Sequence, residues 1–183
     1  MMTRNLLEPV TAVAGCVKWP AIHSSDLRGS FSKVLSASIR SEMGYDFQVR
    51  EIFWNRSRQG VIRGMHLQVP PHEGAKVVWV TAGQVRDVVV DLRRSSPTYR
   101  QHVVFEMDSS SGLLFIPVGC ANGFEVLSSE AVVNYAQECD YAPDSDSGVR
   151  WNSFGCHWLS QSPIVSERDV ALTSLDGFDS PFF

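Results

Sequence analysis

A proton-transfer set for a carbon acid would need a base, an acid on the far side, and cations for the oxygen that gains charge between them. This sequence offers all of them on strand-like apolar stretches. Its densest polar cluster is Asn55-Arg56-Ser57-Arg58-Gln59-Gly60-Val61-Ile62-Arg63-Gly64-Met65-His66-Leu67-Gln68. In a regular strand Arg63 and His66 would face opposite sides, because their positions differ by an odd number. Gly64 between them permits a bulge that turns both toward one cavity. Lys76 opens the next apolar run, where a cation is costly unless it faces a polar pocket. Tyr135 and Tyr141 share parity with Gln137 and Cys139, so one strand would send both phenols to the same side. Taken singly, each has a plainer reading: a surface Arg, a core His, a tyrosine pair that packs. Converging, they supply a base, two stabilisers of an enolate and an acid.

Metal chemistry is the competing use of a His in such a stretch. Position 68 is Gln68 where a second His would complete a ligand pair, and Asn122 stands where a later His would be needed. Joining His66 to His72 and Glu73 requires crossing the turn-forming Val69-Pro70-Pro71, so no metal is expected. Cys16, Cys120, Cys139 and Cys156 form no CxxC pair and read as free thiols of a reducing compartment.

The elements that must position these residues are mostly strands. Lys76–Thr81 and Gln84–Asp91 flank Ala82-Gly83 and predict a hairpin. Val103–Met107, Leu113–Pro117, Gly123–Leu127 and Ala131–Cys139 follow, separated by Gly, Pro, Ser and Asp. Helical signal is confined to Phe31–Met43 and a turn or two after Ser160. The 183 residues show no repeat or composition break, so residues 1–183 are expected to form one all-β domain, a sandwich or barrel with short peripheral helices. With a net charge of −4 and no long basic run, nucleic acid is not an expected partner. Locally, Arg93-Arg94 and Arg56-Ser57-Arg58 leave room for a phosphate pocket. No apolar run approaches the roughly 20 residues of a membrane span. Val13-Ala14-Gly15-Cys16 has the look of a lipoprotein cleavage site, but Glu8-Pro9 breaks the apolar region before it. A cytoplasmic location is expected.

The ordered set Gly60-Val61-Ile62-Arg63-Gly64-Met65-His66-Leu67-Gln68, Asp91-Leu92-Arg93-Arg94-Ser95-Ser96-Pro97-Thr98, Ile116-Pro117-Val118-Gly119-Cys120-Ala121-Asn122-Gly123-Phe124 and Tyr141-Ala142-Pro143 resembles the dTDP-4-dehydrorhamnose 3,5-epimerases. The resemblance extends from Asp26-Leu27-Arg28-Gly29-Ser30-Phe31 to Ser166-Glu167-Arg168-Asp169. It implies a cupin-type antiparallel jelly-roll barrel, a homodimer, no cofactor, and epimerisation at C3, C5 or both of a nucleotide-linked 4-keto-6-deoxy sugar. By the same resemblance His66 is the base, Asp169 orients it, and Tyr135 returns a proton from the opposite face of the sugar. Lys76 and Arg63 sit near the ketone, and Tyr141 stacks on the nucleotide base. Arg28, Asn55, Asp146 and Arg168 hold the nucleotide and diphosphate.

Departures from the family pattern fall at substrate-contacting positions. Phe53 replaces a Gln, Lys33 replaces a Glu, and Asn122 replaces the His of an Ala-His-Gly-Phe segment. They imply retained chemistry on a changed substrate, with dTDP, CDP or GDP as the nucleotide. A 3,4-ketoisomerase acting on similar substrates and a non-catalytic sugar-nucleotide-binding cupin are the alternatives.

Overall fold

In a computed structural model, which describes residues 8–9 and 12–183, the chain is built from antiparallel strands. In chain order they are β1 (Glu8–Pro9), β2 (Val17–Trp19), β3 (Ile22–Asp26), β4 (Gly29–Lys33), β5 (Glu51–Arg58), β6 (Ile62–Gln68) and β7 (Lys76–Ala82). There follow β8 (Gln84–Asp91), β9 (His102–Asp108), β10 (Leu113–Ile116), β11 (Cys120–Val126), β12 (Glu130–Gln137) and β13 (Asp146–Gly148). The described residues also form two short α-helices, α1 (Ala37–Met43) and α2 (Glu167–Ala171), and a 3-10 turn at Pro143–Ser145.

A six-stranded sheet in the order β1-β2-β10-β7-β12-β5 faces a five-stranded sheet in the order β13-β6-β11-β8-β9, the cupin-like jelly roll that the resemblance implied. Alternation explains the layering. Val78, Val80, Val85, Val89, Phe124, Val133 and Tyr135 point between the sheets. Val88, Val90, Ile62 and Met65 point outward from the five-stranded sheet, where the C-terminal Trp158, Leu175 and Phe182 cover them. Val77, Phe115 and Ala136 leave the other sheet on its outer side, under Ile39 and Phe47.

The structure corrects three expectations. Lys76–Thr81 and Gln84–Asp91 are not a hairpin, because β7 and β8 belong to different sheets. Gly83, at φ +73°, turns the chain from one sheet to the other, and a Cβ there would stand 2.0 Å from the Glu130 carbonyl oxygen. Turn-forming residues between β-branched runs signal a reversal, and that signal is the same for a hairpin and for a sheet-switching corner. Phe31–Met43 is helical only over Ala37–Met43, where the Ser36 hydroxyl caps the Ile39 amide; Gly29–Lys33 forms β4, which pairs with β3. The strand expected over Ala131–Cys139 stops at Gln137, so Cys139 and Tyr141 lie in the following loop.

The expected bulge lies where Gly64 predicted it. Across β6 and β11, Arg63 pairs with Phe124 and His66 with Asn122, so Gly64 and Met65 together oppose Gly123. Gly64 has φ +125°, and a Cβ there would fall 2.5 Å from the Gly123 Cα and 2.9 Å from the Asn122 carbonyl oxygen. Gly64→Ala should therefore lower stability by at least about 2 kcal/mol, combining backbone strain with a backbone clash. A fall in the denaturation midpoint at unchanged slope is the expected result.

Candidate active site

The mouth of the barrel, between the two sheets, holds a cavity of about 340 Å³. The six-stranded sheet contributes Glu51, Phe53 and Asn55 from β5, Lys76 from β7, and Tyr135 and Gln137 from β12. The five-stranded sheet contributes Arg63, His66 and Gln68 from β6, Asn122 and Phe124 from β11, and Asp146 from β13. His66 and Tyr135 thus reach one cavity from facing walls.

His66 is held from behind. Its Nε2 lies 2.7 Å from Asp169 Oδ1, while Asp169 Oδ2 accepts the Gly64 backbone N–H at 3.0 Å. Asp169 sits in the first turn of α2, whose cap is the Ser166 hydroxyl accepting the Asp169 N–H. The carboxylate makes Nε2 the protonated ring nitrogen and leaves Nδ1 as the acceptor. Although burial alone would raise the Asp169 carboxyl, its hydrogen bond to His66 and the nearby charges hold it below the usual value. The bulge serves this pair twice: it turns His66 inward and aims the Gly64 amide at Asp169.

Tyr135 is almost sealed, 6% exposed, and its ring stacks on Phe53 at 4.8 Å between centroids and 10° between planes. Burial pushes its phenol well above the ordinary tyrosine value, so it holds its proton at neutral pH. Lys76 Nζ donates to the His66 carbonyl oxygen at 3.3 Å, and burial lowers its pKa. Arg63 Nε donates to Ser57 Oγ at 2.9 Å, which fixes the guanidinium at the cavity wall.

Tyr141 stands at the rim, 59% exposed, with its hydroxyl donating to Asp146 Oδ2 at 3.1 Å. Arg168 pairs with the same oxygen at 2.5 Å. Nine of the eleven residues expected at the site line this cavity: His66, Tyr135, Lys76, Asn55, Arg63, Asn122, Tyr141, Asp146 and Arg168. Asp169 stands behind His66, in hydrogen-bond contact with it. Arg28 is elsewhere within the chain, at the tip of the β3–β4 hairpin, paired with Asp26 at 2.5 Å.

The basic pairs that left room for a phosphate pocket have other duties. Arg93 is tied to Asp91 and to the Ala14 carbonyl oxygen, Arg94 pairs with Asp179, and Arg56 pairs with Glu130. None of them lines the cavity, nor does Arg58. Gln68, weighed only as a missing ligand, has a structural task. Its amide donates to the His72 and Asp140 carbonyl oxygens and accepts the Ala142 N–H at 2.6 Å, tying β6 to the loop that carries Tyr141. His72 and Glu73 lie outside the His66 cavity. Among the described residues no cluster of three His, Cys, Asp or Glu side chains has the geometry of a metal site.

Sequence reasoning missed Asp87. It is fully buried, accepts the Asn122 amide at 2.7 Å, and burial pushes its pKa to about 8. Its place was nonetheless readable: Asp87 shares parity with Val85 and Val89, and a carboxyl in an inward apolar row marks a polar interior.

Comparison with known proteins identifies the family. The family model described as dTDP-4-dehydrorhamnose 3,5-epimerase matches residues 10–177. The dTDP-4-dehydrorhamnose 3,5-epimerase of Streptomyces griseus is 38% identical over 150 residues, 79% of this chain and 74% of its own length. That of Shigella flexneri is 34% identical over 149 residues, 79% of this chain and 82% of its own. Among solved structures, the Legionella pneumophila dTDP-6-deoxy-D-glucose-3,5-epimerase in complex with dTDP-4-keto-L-rhamnose superposes with a TM-score of 0.90. It has 29% identity and covers 97% of this chain and 98% of its own. A 3'-monoepimerase from Streptomyces bikiniensis in complex with dTDP-quinovose superposes at 0.85, with 28% identity over 92% and 87% of the two chains. Sequence, fold and site concur that this is a carbohydrate epimerase, and the chain belongs to the dTDP-4-dehydrorhamnose 3,5-epimerase family.

Proposed function

We propose that this enzyme inverts a carbon next to the C4 ketone of a nucleotide-linked 4-keto-6-deoxy sugar, with dTDP, the nucleotide in its relatives' names, as the carrier. The observation that carries the reading is the placement of an imidazole, held from behind by the Asp169 carboxylate, and a protonated phenol on facing walls of one cavity. His66 Nδ1 takes the proton on the carbon, whose electron pair moves into the C4 carbonyl and leaves an enolate. Lys76 and Arg63 stand where the enolate oxygen gains charge, and fixed donors there favour the intermediate over the ketone. Tyr135 then protonates the same carbon from the other face, which inverts it. The resulting phenolate and imidazolium exchange protons with solvent before the next turnover.

The test is proton NMR in deuterated water with dTDP-, CDP- and GDP-linked 4-keto sugars. Solvent deuterium at an inverted centre, with the ketone still at C4, supports the epimerase. Migration of the carbonyl would indicate a ketoisomerase, and absence of exchange with every sugar nucleotide would favour a binding protein.

The pH profile offers a second check. Burial lowers Lys76, so its charge is fully present at low pH and is lost as pH rises through that lowered value. Activity should fall on the alkaline side before an ordinary lysine would titrate. Lys76→Arg should keep residual activity and lose that alkaline limb, because arginine stays charged throughout.

A homodimer accounts for Arg28. All ten residues of β3 and β4 are exposed, and at their turn Leu27 is fully exposed. β5, an edge strand among the described residues, presents Ile52 and Trp54, 63% and 67% exposed. Open edges carrying apolar side chains are sites of association, and a second copy's hairpin could bring its Arg28 to the nucleotide. Arg28→Ala should then raise KM about ten- to a hundredfold with kcat little changed, the scale of one charged hydrogen bond. An unchanged KM would remove Arg28 from the site. All four cysteines are free, in keeping with a reducing cytoplasm.

A further inference from the structure

We propose that Asn122 is a specificity-determining residue which selects, as the centre to be inverted, the hydroxyl-bearing carbon beside the ketone. The proposal rests on the epimerase reading and specifies which of the two flanking carbons faces the base.

The Asn122 amide is locked. Its Nδ2 donates to Asp87 Oδ1 at 2.7 Å and to the Val88 carbonyl oxygen at 3.1 Å, which uses both hydrogens. The Val88 carbonyl can only accept, so turning the amide over would point oxygen at oxygen. Asn122 Oδ1 makes no hydrogen bond with any described residue, and it is not among their sealed, unpartnered polar atoms. Since Asn122 lines the cavity, Oδ1 is the atom it offers to a ligand. Asn122 therefore presents a fixed acceptor with no proton to give.

Its position says what that acceptor meets. Asn122 lies directly opposite His66 across β11 and β6. Side chains so paired share a face, with Cβ atoms about 4.5–5.5 Å apart. A group that hydrogen-bonds to Asn122 Oδ1 consequently sits next to the carbon His66 approaches. In a 4-keto-6-deoxy sugar, C3 carries a hydroxyl, whereas C5 carries a methyl group and the ring oxygen. Only the C3 side supplies a donor. With C5 at the base, the buried amide oxygen would face a methyl group and lose its partner.

Asp87 keeps this wall neutral as well as fixed. Burial pushes its carboxyl to about 8, so it is mostly protonated at neutral pH. Its second oxygen, Oδ2, is buried without a partner among the described residues, a costlier state for a carboxylate than for a neutral carboxyl. The charged and polar groups around it are Lys76 from β7, Tyr135 from β12, Cys16 from the N-terminal segment and Asn122 from β11. A neutral Asp87 leaves no anion there to oppose the enolate.

The experiment measures deuterium incorporation at C3 and at C5 of a dTDP-linked 4-keto-6-deoxyglucose, for the unaltered protein and for Asn122→Leu. The leucine keeps the branched heavy-atom skeleton and removes the acceptor. Exchange at C3 should exceed exchange at C5 by at least about tenfold, the equivalent of one ordinary hydrogen bond, and the ratio should fall toward one in Asn122→Leu. Equal or faster exchange at C5 in the unaltered protein overturns the proposal, as does an unchanged ratio in the variant. A 3-deoxy analogue provides an arm that needs no variant: its KM should be at least about tenfold higher, and an equal KM counts against Asn122. Loss of exchange at both carbons in the unaltered protein would instead overturn the epimerase reading itself, and this proposal with it.

Discussion

His66→Ala should abolish proton exchange at every position of the sugar, with a fall in kcat of about 10²–10⁴-fold, the usual worth of a positioned general base. The loss should appear in kcat and in kcat/KM alike, because a base acts in the transition state and adds little to binding. Two features make His66 irreplaceable by its neighbours. Its Nε2 is committed to Asp169 at 2.7 Å, which leaves Nδ1 poised to accept. No other histidine lines the cavity. Nucleotide affinity should survive, since Tyr141, Asp146 and Arg168 occupy the rim. Isotope exchange beside equilibrium binding of dTDP checks both statements. Exchange at the parent rate in His66→Ala would move the base elsewhere.

Tyr135→Phe should separate exchange from inversion. The base still removes and returns its proton on one face, so deuterium should enter with retention. Delivery from the other face loses its acid, and inversion should slow by about 10²–10⁴-fold. The ring itself should stay in place, because its stacking on Phe53 at 4.8 Å does not use the hydroxyl. NMR that follows label and configuration together reads both outcomes. Inversion at the parent rate would mean that another group supplies the proton.

Much of the site was legible in the sequence because strand parity and one glycine determine so much. Arg63 and His66 are three residues apart, and only a bulge at Gly64 brings them to one cavity; the pairing of Gly64 and Met65 against Gly123 is that bulge. Tyr135 and Gln137 followed from alternation on β12, and both line the cavity. Asp169 came from resemblance alone, because no local pattern ties a five-residue helix to a strand about a hundred residues earlier. Turn signals left the partner of a strand undetermined, so Gly83 read as a hairpin although it switches sheets. Phe31 read as part of a helix because exposed hairpins carry little period-two pattern; all of β3 and β4 is solvent-facing. Gln68 and Asp87 were missed for different reasons. Gln68 acts through backbone partners in a loop that periodicity does not locate. Asp87 stood in an inward row whose importance emerged once Asn122 was seen to donate to it.

The central claim is geometric and has a direct measurement: a crystal structure with a dTDP-linked 4-keto sugar bound. The account predicts His66 Nδ1 and the Tyr135 hydroxyl on opposite faces of one ring carbon beside the ketone, each within about 3–3.5 Å of it. The ketone oxygen should point to Lys76 and Arg63. A sugar ring lying with both groups on the same face, or outside the space between them, would contradict it.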